Sequence, residues 1–122
     1  QDLNVVEAPY EIESGGAAFE ELMQADPRPT VVMCGNDVLA TGAITKAREL
    51  GLAVPDDVSI TGFDDIELAS CAWPPLTTVH VPHRQMGRDA AHALIDLIEN
   101  GAPKASRELD VSIVMRGSLK RL

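Results

Sequence analysis

Apolar residues along this chain follow two rhythms: short unbroken runs, and longer stretches spaced at three and four. Leu3 to Val6 reads as a short strand. Ser14, Gly15 and Gly16 open a helix to about Ala25, with Ser14 as N-cap and Ala18, Phe19, Leu22 and Met23 on its apolar side. Asp26, Pro27, Arg28 and Pro29 break the chain, because proline cannot continue a helix. Thr30 to Cys34 has no polar alternation and reads as a buried strand. A helix from about Asp37 to Leu50 follows, with Ala40, Ala43, Ile44, Ala47 and Leu50 on one stripe, and Gly51 ends it. Pro55, Asp56 and Asp57 make a turn before a strand from Val58 to Thr61. Leu76 to Val81 is strand-like. His83 to Glu99 is an amphipathic helix through Met86, Ala90, Leu94, Leu97 and Ile98, stopped by Gly101 and Pro103. Leu109 to Met115 alternates and reads as a last strand.

Strand alternating with helix through short connections predicts an α/β fold with parallel pairing and right-handed crossovers. In a parallel sheet every strand points the same way, so the residues after each strand collect on its carboxyl edge. Two runs make the same turn there: "VVMCGND", Val31 to Asp37, and "VSITGFDD", Val58 to Asp65. Asn36, Asp37, Asp64 and Asp65 are therefore expected along the edge where open α/β sheets bind ligands. An amide beside carboxylates offers donors and acceptors, which suits a ligand carrying hydroxyls or ring N–H groups. Structural roles compete. Asn36 can cap the following helix and still meet a ligand; Asp37 is read as supporting the first turn, and Asp65 as capping Ile66 to Ser70. Asp64, directly after Phe63, is read as a ligand contact.

Composition narrows the classes. Hydrophobic residues at 45% and charged residues at 24% fit a globular chain and not a disordered one. No apolar stretch approaches the roughly 20 residues of a membrane span, and no charged-then-apolar leader opens the chain, although Gln1 is not a natural start. Ten basic against 19 acidic residues give −9, which disfavours binding to a phosphate backbone; Arg116, Lys120 and Arg121 are the only basic cluster. Cys34 and Cys71 lack metal-type spacing and read as free cytosolic thiols. His80, His83 and His92 are not spaced as metal ligands, and His92, beside Arg88 and Asp96, reads as a solvated group. Paired carboxylates at strand ends also hold magnesium in phosphoryl-transfer sites. Neither acidic loop has a lysine or arginine within five residues, with Lys46 far down its helix. Nucleophile elbow and glycine-rich phosphate loop are both absent. An enzyme is not expected, nor a cofactor or a metal.

The stretch "CGNDVLATGAITKARELGLAVPDDVSITGFDDIELASCAWPPLTTVHVPHRQMGRDAAHALIDLIENG" resembles the effector-binding domain of the lac repressor/galactose repressor family of bacterial transcription regulators. The markers are the ND-x-x-A-x-GA helix start, "GLAVPDDVSITGFDD", and "PPLTTV" followed by "MGRDAA". "YEIESGGAAFEEL" is similar to the family's segment in which an aromatic precedes a Ser-Gly helix start. The resemblance implies a three-layer, mainly parallel sheet of the periplasmic-binding-protein-like type, here an incomplete domain. Residues 1–81 would be the core of the C-terminal effector-binding subdomain, 82–103 a crossover and helix of the other subdomain, and 104–122 the returning strand and tail.

The same resemblance implies a small-molecule effector, a sugar first and a nucleoside second, held in a cleft between subdomains. It implies a homodimer, operator DNA contacted only through a headpiece outside this stretch, a cytoplasmic location and no membrane contact. Tyr10 falls where the family stacks an aromatic ring on the effector; the alternative is a surface aromatic flanking a turn. Asn36 and Asp64 fall on polar effector contacts. His83 falls where a member of the family has an aromatic beside the ligand, and this chain has histidine instead. Ile66 to Trp73 resembles part of the dimer interface, as does the first turn of the Asp37 helix. Ala69, Cys71 and Trp73 are then expected partly buried by a partner; the alternative for Trp73 is a loop folded on its own core. The other functional classes are a sugar-binding protein of a transport system, which shares fold and acidic edge, and a magnesium-dependent phosphotransfer domain. The helix from His83 is expected to leave its apolar stripe in need of a partner.

Overall fold

The structure, a computed structural model, describes residues 3–101 and 106–120. The chain divides into two compact units, Gln1–His80 with Ile113–Leu122, and Val81–Ser112. In the first unit, β1 (Val31–Met33) pairs in parallel with β2 (Ser59–Thr61), in the register Val31↔Ser59, Val32↔Ile60, Met33↔Thr61. Parallel bridges Thr61↔Thr77 and Asp64↔His80 carry the sheet on to β3 (Thr78–His80), and β4 (Ser112–Val114) lies beside β3. The α/β class and parallel pairing are those the hydrophobic pattern predicts.

Two helices cover this sheet. α1 (Ile12–Leu22) and α2 (Asp37–Glu49) pack closely, and Phe19, Ile44 and Ala47 bury against Val32, Ile60 and Leu76. Glycines set the approach. A methyl group at Gly15 would overlap the backbone of Leu39, and one at Gly42 would overlap the carbonyl of Ile12. The expected start of α1 at Ser14 is therefore corrected. The helix begins three residues earlier, behind Glu11 in extended backbone without a side-chain cap, and Gly15 and Gly16 lie inside it as its contact surface. It also ends at Leu22, short of Ala25. α2 runs as predicted, with Leu50 as C-cap and Gly51 in the left-handed region at φ 73. Its last stripe residue, Leu50, is nevertheless exposed.

Three strand expectations change among the described residues. Leu3 to Val6 forms no strand, and Leu3 and Val5 are exposed. β1 buries only Val32, while Val31 and Met33 face outward, because β1 pairs with β2 alone among the described residues. The last strand is shorter than Leu109 to Met115. Beyond it the chain enters the sheet side by side with β2. Ser118 is fully buried, donates its hydroxyl to Ile60 O at 2.6 Å and accepts Thr77 N at 2.8 Å. That one hydroxyl joins β2 to the start of β3.

The second unit is built on α4 (His83–Asn100). Gly101 caps it in left-handed backbone, φ 67, as predicted; Pro103 lies outside the described residues. Asp89 pairs with Arg107 at 3.0 Å. No residue of α4 is buried, and Met86, Leu94, Leu97 and Ile98 stand exposed along its stripe. No helix among the described residues is long and apolar enough to cross a membrane.

Candidate functional site

The two acidic loops meet at the carboxyl edge of β1 and β2. Asp37 N donates to Phe63 O at 2.9 Å, so the residues after each strand are hydrogen-bonded neighbours. Asn36 is the N-cap of α2: extended at φ −157, it accepts Leu39 N on Oδ1 at 2.9 Å. That leaves its side-chain NH₂ as the group available to a ligand. Tyr10, 71% exposed, lies over Gly35, where an added methyl would sit 3.7 Å from the Tyr10 ring. Tyr10 and Asn36 therefore flank the same glycine.

Asp37 is fully buried and structural. Its Oδ1 accepts the Thr78 hydroxyl at 2.5 Å and its Oδ2 accepts Ile66 N at 2.9 Å. One carboxyl thus ties the start of α2 to β3 and to the start of α3 (Glu67–Cys71). The packing leaves no room at Gly62, where a methyl would collide with Asp37 and Leu76.

The capping role expected of Asp65 is corrected. Ile66 is the residue before α3, no side chain caps it, and its N–H goes to Asp37 instead. Asp65 turns to the sheet: Oδ1 accepts Arg116 Nη2 at 2.6 Å, and Oδ2 lies 2.9 Å from His80 Nδ1. Partial burial would raise its pKa, but the hydrogen bonds and charges of Arg116 and then His80 outweigh this and hold it below the usual carboxylate value. Asp64 and Asp65 both have positive φ, 105 and 55. Aspartate visits the left-handed region more readily than most residues, yet 105 lies beyond its usual range. Such backbone costs of order 1–3 kcal/mol per residue and is found at ligand sites when its surroundings hold it. Asp64 N donates to Val79 O at 2.9 Å.

Tyr10, Asn36 and Asp64 are thus gathered on one edge of the first unit. His83 stands in the second unit as the first residue of α4, with its N–H on Val81 O. Behind the edge, a pocket of about 70 Å³ is lined by Val6, Ala8, Cys34, Gly35 and Leu39, among others. That is far below the roughly 300–1,000 Å³ of ligand pockets, so this space does not by itself take a ligand of ordinary size. Burial pushes the Cys34 thiol up to about 12, which makes it an inert thiol. Cys34 and Cys71 are both free. Among the described residues no group of three or more His, Cys, Asp or Glu side chains is placed to hold a metal ion.

On α3 and just beyond it the three interface expectations divide. Ala69 is fully buried in the chain's own core and has no surface to give a partner, which corrects its assignment. Cys71 and Trp73 are exposed, Trp73 by 82%. Trp73 therefore does not fold back on its own core. Arg116 and Ser118 had no signal in the local pattern, since their partners lie 39 to 58 residues away in sequence.

Residues 1–119 match the periplasmic binding protein-like domain. The chain is 38% identical over 119 residues to the HTH-type transcriptional repressor PurR of Vibrio campbellii, a match covering 97% of the chain and 36% of that repressor. Among solved structures, a lac repressor dimer bound to operator and the anti-inducer ONPF superposes with a TM-score of 0.83 at 34% identity, over 93% of this chain and 40% of that one. A transcriptional regulator CelR–cellobiose complex superposes with a TM-score of 0.84 at 33% identity, over 91% of this chain and 34% of that one. The chain belongs to the periplasmic binding protein-like family, in its lac repressor/galactose repressor branch. It spans about a third of the length of the curated relatives it matches.

Proposed function

We propose that this chain is the effector-sensing and dimerisation portion of a bacterial transcriptional regulator, and that its ligand is a hydroxyl-rich small molecule, a sugar first and a nucleoside second. The observation that carries the reading is the meeting of Tyr10, Asn36 and the strained Asp64 on one sheet edge. A flat ring offers a stacking face, an amide N–H₂ donates, and a carboxylate accepts from hydroxyls or ring N–H groups. The names of the relatives support it: one is a repressor, one was solved as a dimer on operator DNA, and one holds cellobiose. His83 enters this reading through the family resemblance alone.

The mechanism is ligand-biased allostery. An effector shifts the equilibrium between two arrangements only by its differential affinity for them. The dimer passes that shift to headpieces that grip the operator; the −9 chain does not grip DNA itself. Cys71 and Trp73 are the proposed surface for the partner copy. A thermal-shift screen of sugars and nucleosides on the intact parent tests the reading. Stabilisation by one class identifies the effector, and no response to either removes both. The parent's N-terminal region separates a regulator, with a DNA-binding headpiece, from a transport protein, with a secretion signal.

A further inference from the structure

Both carboxyl oxygens of Asp65 are engaged, each from a different part of the sheet. Arg116, past the end of β4, holds Oδ1; His80, at the end of β3, holds Oδ2. Arg116 is itself fixed. Its Nη1 donates to Leu76 O at 2.9 Å, and its backbone N donates to Thr77 Oγ1 at 2.9 Å. Arg116 and Asp65 are both mostly shielded from solvent, while His80 is half exposed. The residue so clamped is the second of two consecutive aspartates in left-handed backbone, with no glycine to relieve them. Backbone of that kind persists only where neighbouring contacts over-determine it. Phe63 O is taken by Asp37 N and Asp64 N by Val79 O, so the loop is fixed before Asp64 by backbone and after it by the Asp65 side chain.

We propose that Arg116 and His80 are positioning residues for the effector site: they clamp Asp65, and the clamp holds Asp64 in the backbone conformation that presents it to the effector. The link to binding rests on the reading that Asp64 meets the effector; the clamp itself stands on the geometry. Neither residue need touch the ligand.

The test uses the intact parent with Asp65→Asn and Arg116→Met, and has two arms. In the first, hydrogen exchange is followed at the amides of Asp64 and of Ile44 in the core of α2. A rise at Asp64 of about tenfold or more, with Ile44 unchanged, is the expected result for a local restraint. Unchanged protection at Asp64, or an equal rise at both amides, overturns the proposal. The second arm titrates cellobiose and adenosine by calorimetry in a double-mutant cycle. Asp65→Asn is expected to weaken whichever binds by about tenfold in the wild-type background and not at all beside Asp64→Ala. An equal loss in both backgrounds means Asp65 does not act through Asp64 and overturns the proposal. If neither compound binds the wild type, the sugar-or-nucleoside reading fails separately, and the exchange arm still decides the clamp.

Discussion

Gly42→Ala is the sharpest test of how the two helices hold this edge. Helix propensity alone favours alanine over glycine in a helix interior by about 1 kcal/mol. Packing opposes it. The new methyl would fall on the carbonyl of Ile12 and crowd the backbone N of Gly16, both in α1, so a whole helix must shift rather than one flexible side chain. Overpacking of that kind costs typically 1–3 kcal/mol, and more where backbone is the obstacle. A backbone collision puts the cost at the upper end of that range, so after the propensity gain of about 1 kcal/mol the net expectation is a destabilisation of about 2 kcal/mol. Urea unfolding of the parent, followed by far-ultraviolet circular dichroism, reads it. With a slope of roughly 1–3 kcal/mol per molar urea, the Gly42 variant should lose about a molar unit of midpoint at unchanged slope. A Gly42→Ala midpoint at or above wild type would refute the close-crossing argument. The same crossing sets how Tyr10, just before α1, stands beside Gly35, just before α2.

Four further outcomes are expected. Asp64→Ala in the parent should weaken effector binding tenfold to a hundredfold, the value of about 1.5–3 kcal/mol for a charge-assisted hydrogen bond, with some loss of melting temperature because alanine tolerates positive φ less well than aspartate; unchanged affinity removes Asp64 from the site. Asp65 has a depressed pKa, so its contribution to stability is present above the unfolded value of about 3.9 and is lost as pH falls through the lower folded value. Asp65→Asn should therefore be less stable than wild type at neutral pH and approach it in acid, as denaturant titrations across that range would read; a gap independent of pH contradicts the ion pair. The isolated chain should give no sequence-specific gel shift at physiological salt, because its charge is −9. It should also self-associate, since Leu94, Ile95, Leu97 and Ile98 stand exposed on α4 and burying each is worth roughly 1.5–3 kcal/mol; light scattering showing a stable monomer at high concentration would refute this.

What could be read without coordinates was local or periodic. The stripe of α2, its Asn36 cap and the Gly51 stop depend on residues within about four positions of one another, as does the amphipathic run of α4. The gathering of Asn36 and Asp64 followed from parallel pairing, because any parallel sheet sends the residues after its strands to one edge. Tertiary structure decided the remainder. Ser14 lost the cap of α1 because Gly15 and Gly16 were needed inside the helix, where α2 comes close. Ala69 went inside because α3 packs its small side against the core, while Trp73, a few residues on, stayed out. Asp65 passed from presumed cap to clamped anion because Arg116, 51 residues away, returns beside it. Ser118 joins Ile60 to Thr77 across separations of 58 and 41 residues. No pattern of neighbours encodes such pairs: a hydrogen bond needs its partners within about 3 Å, and for residues this far apart only the completed fold sets that distance.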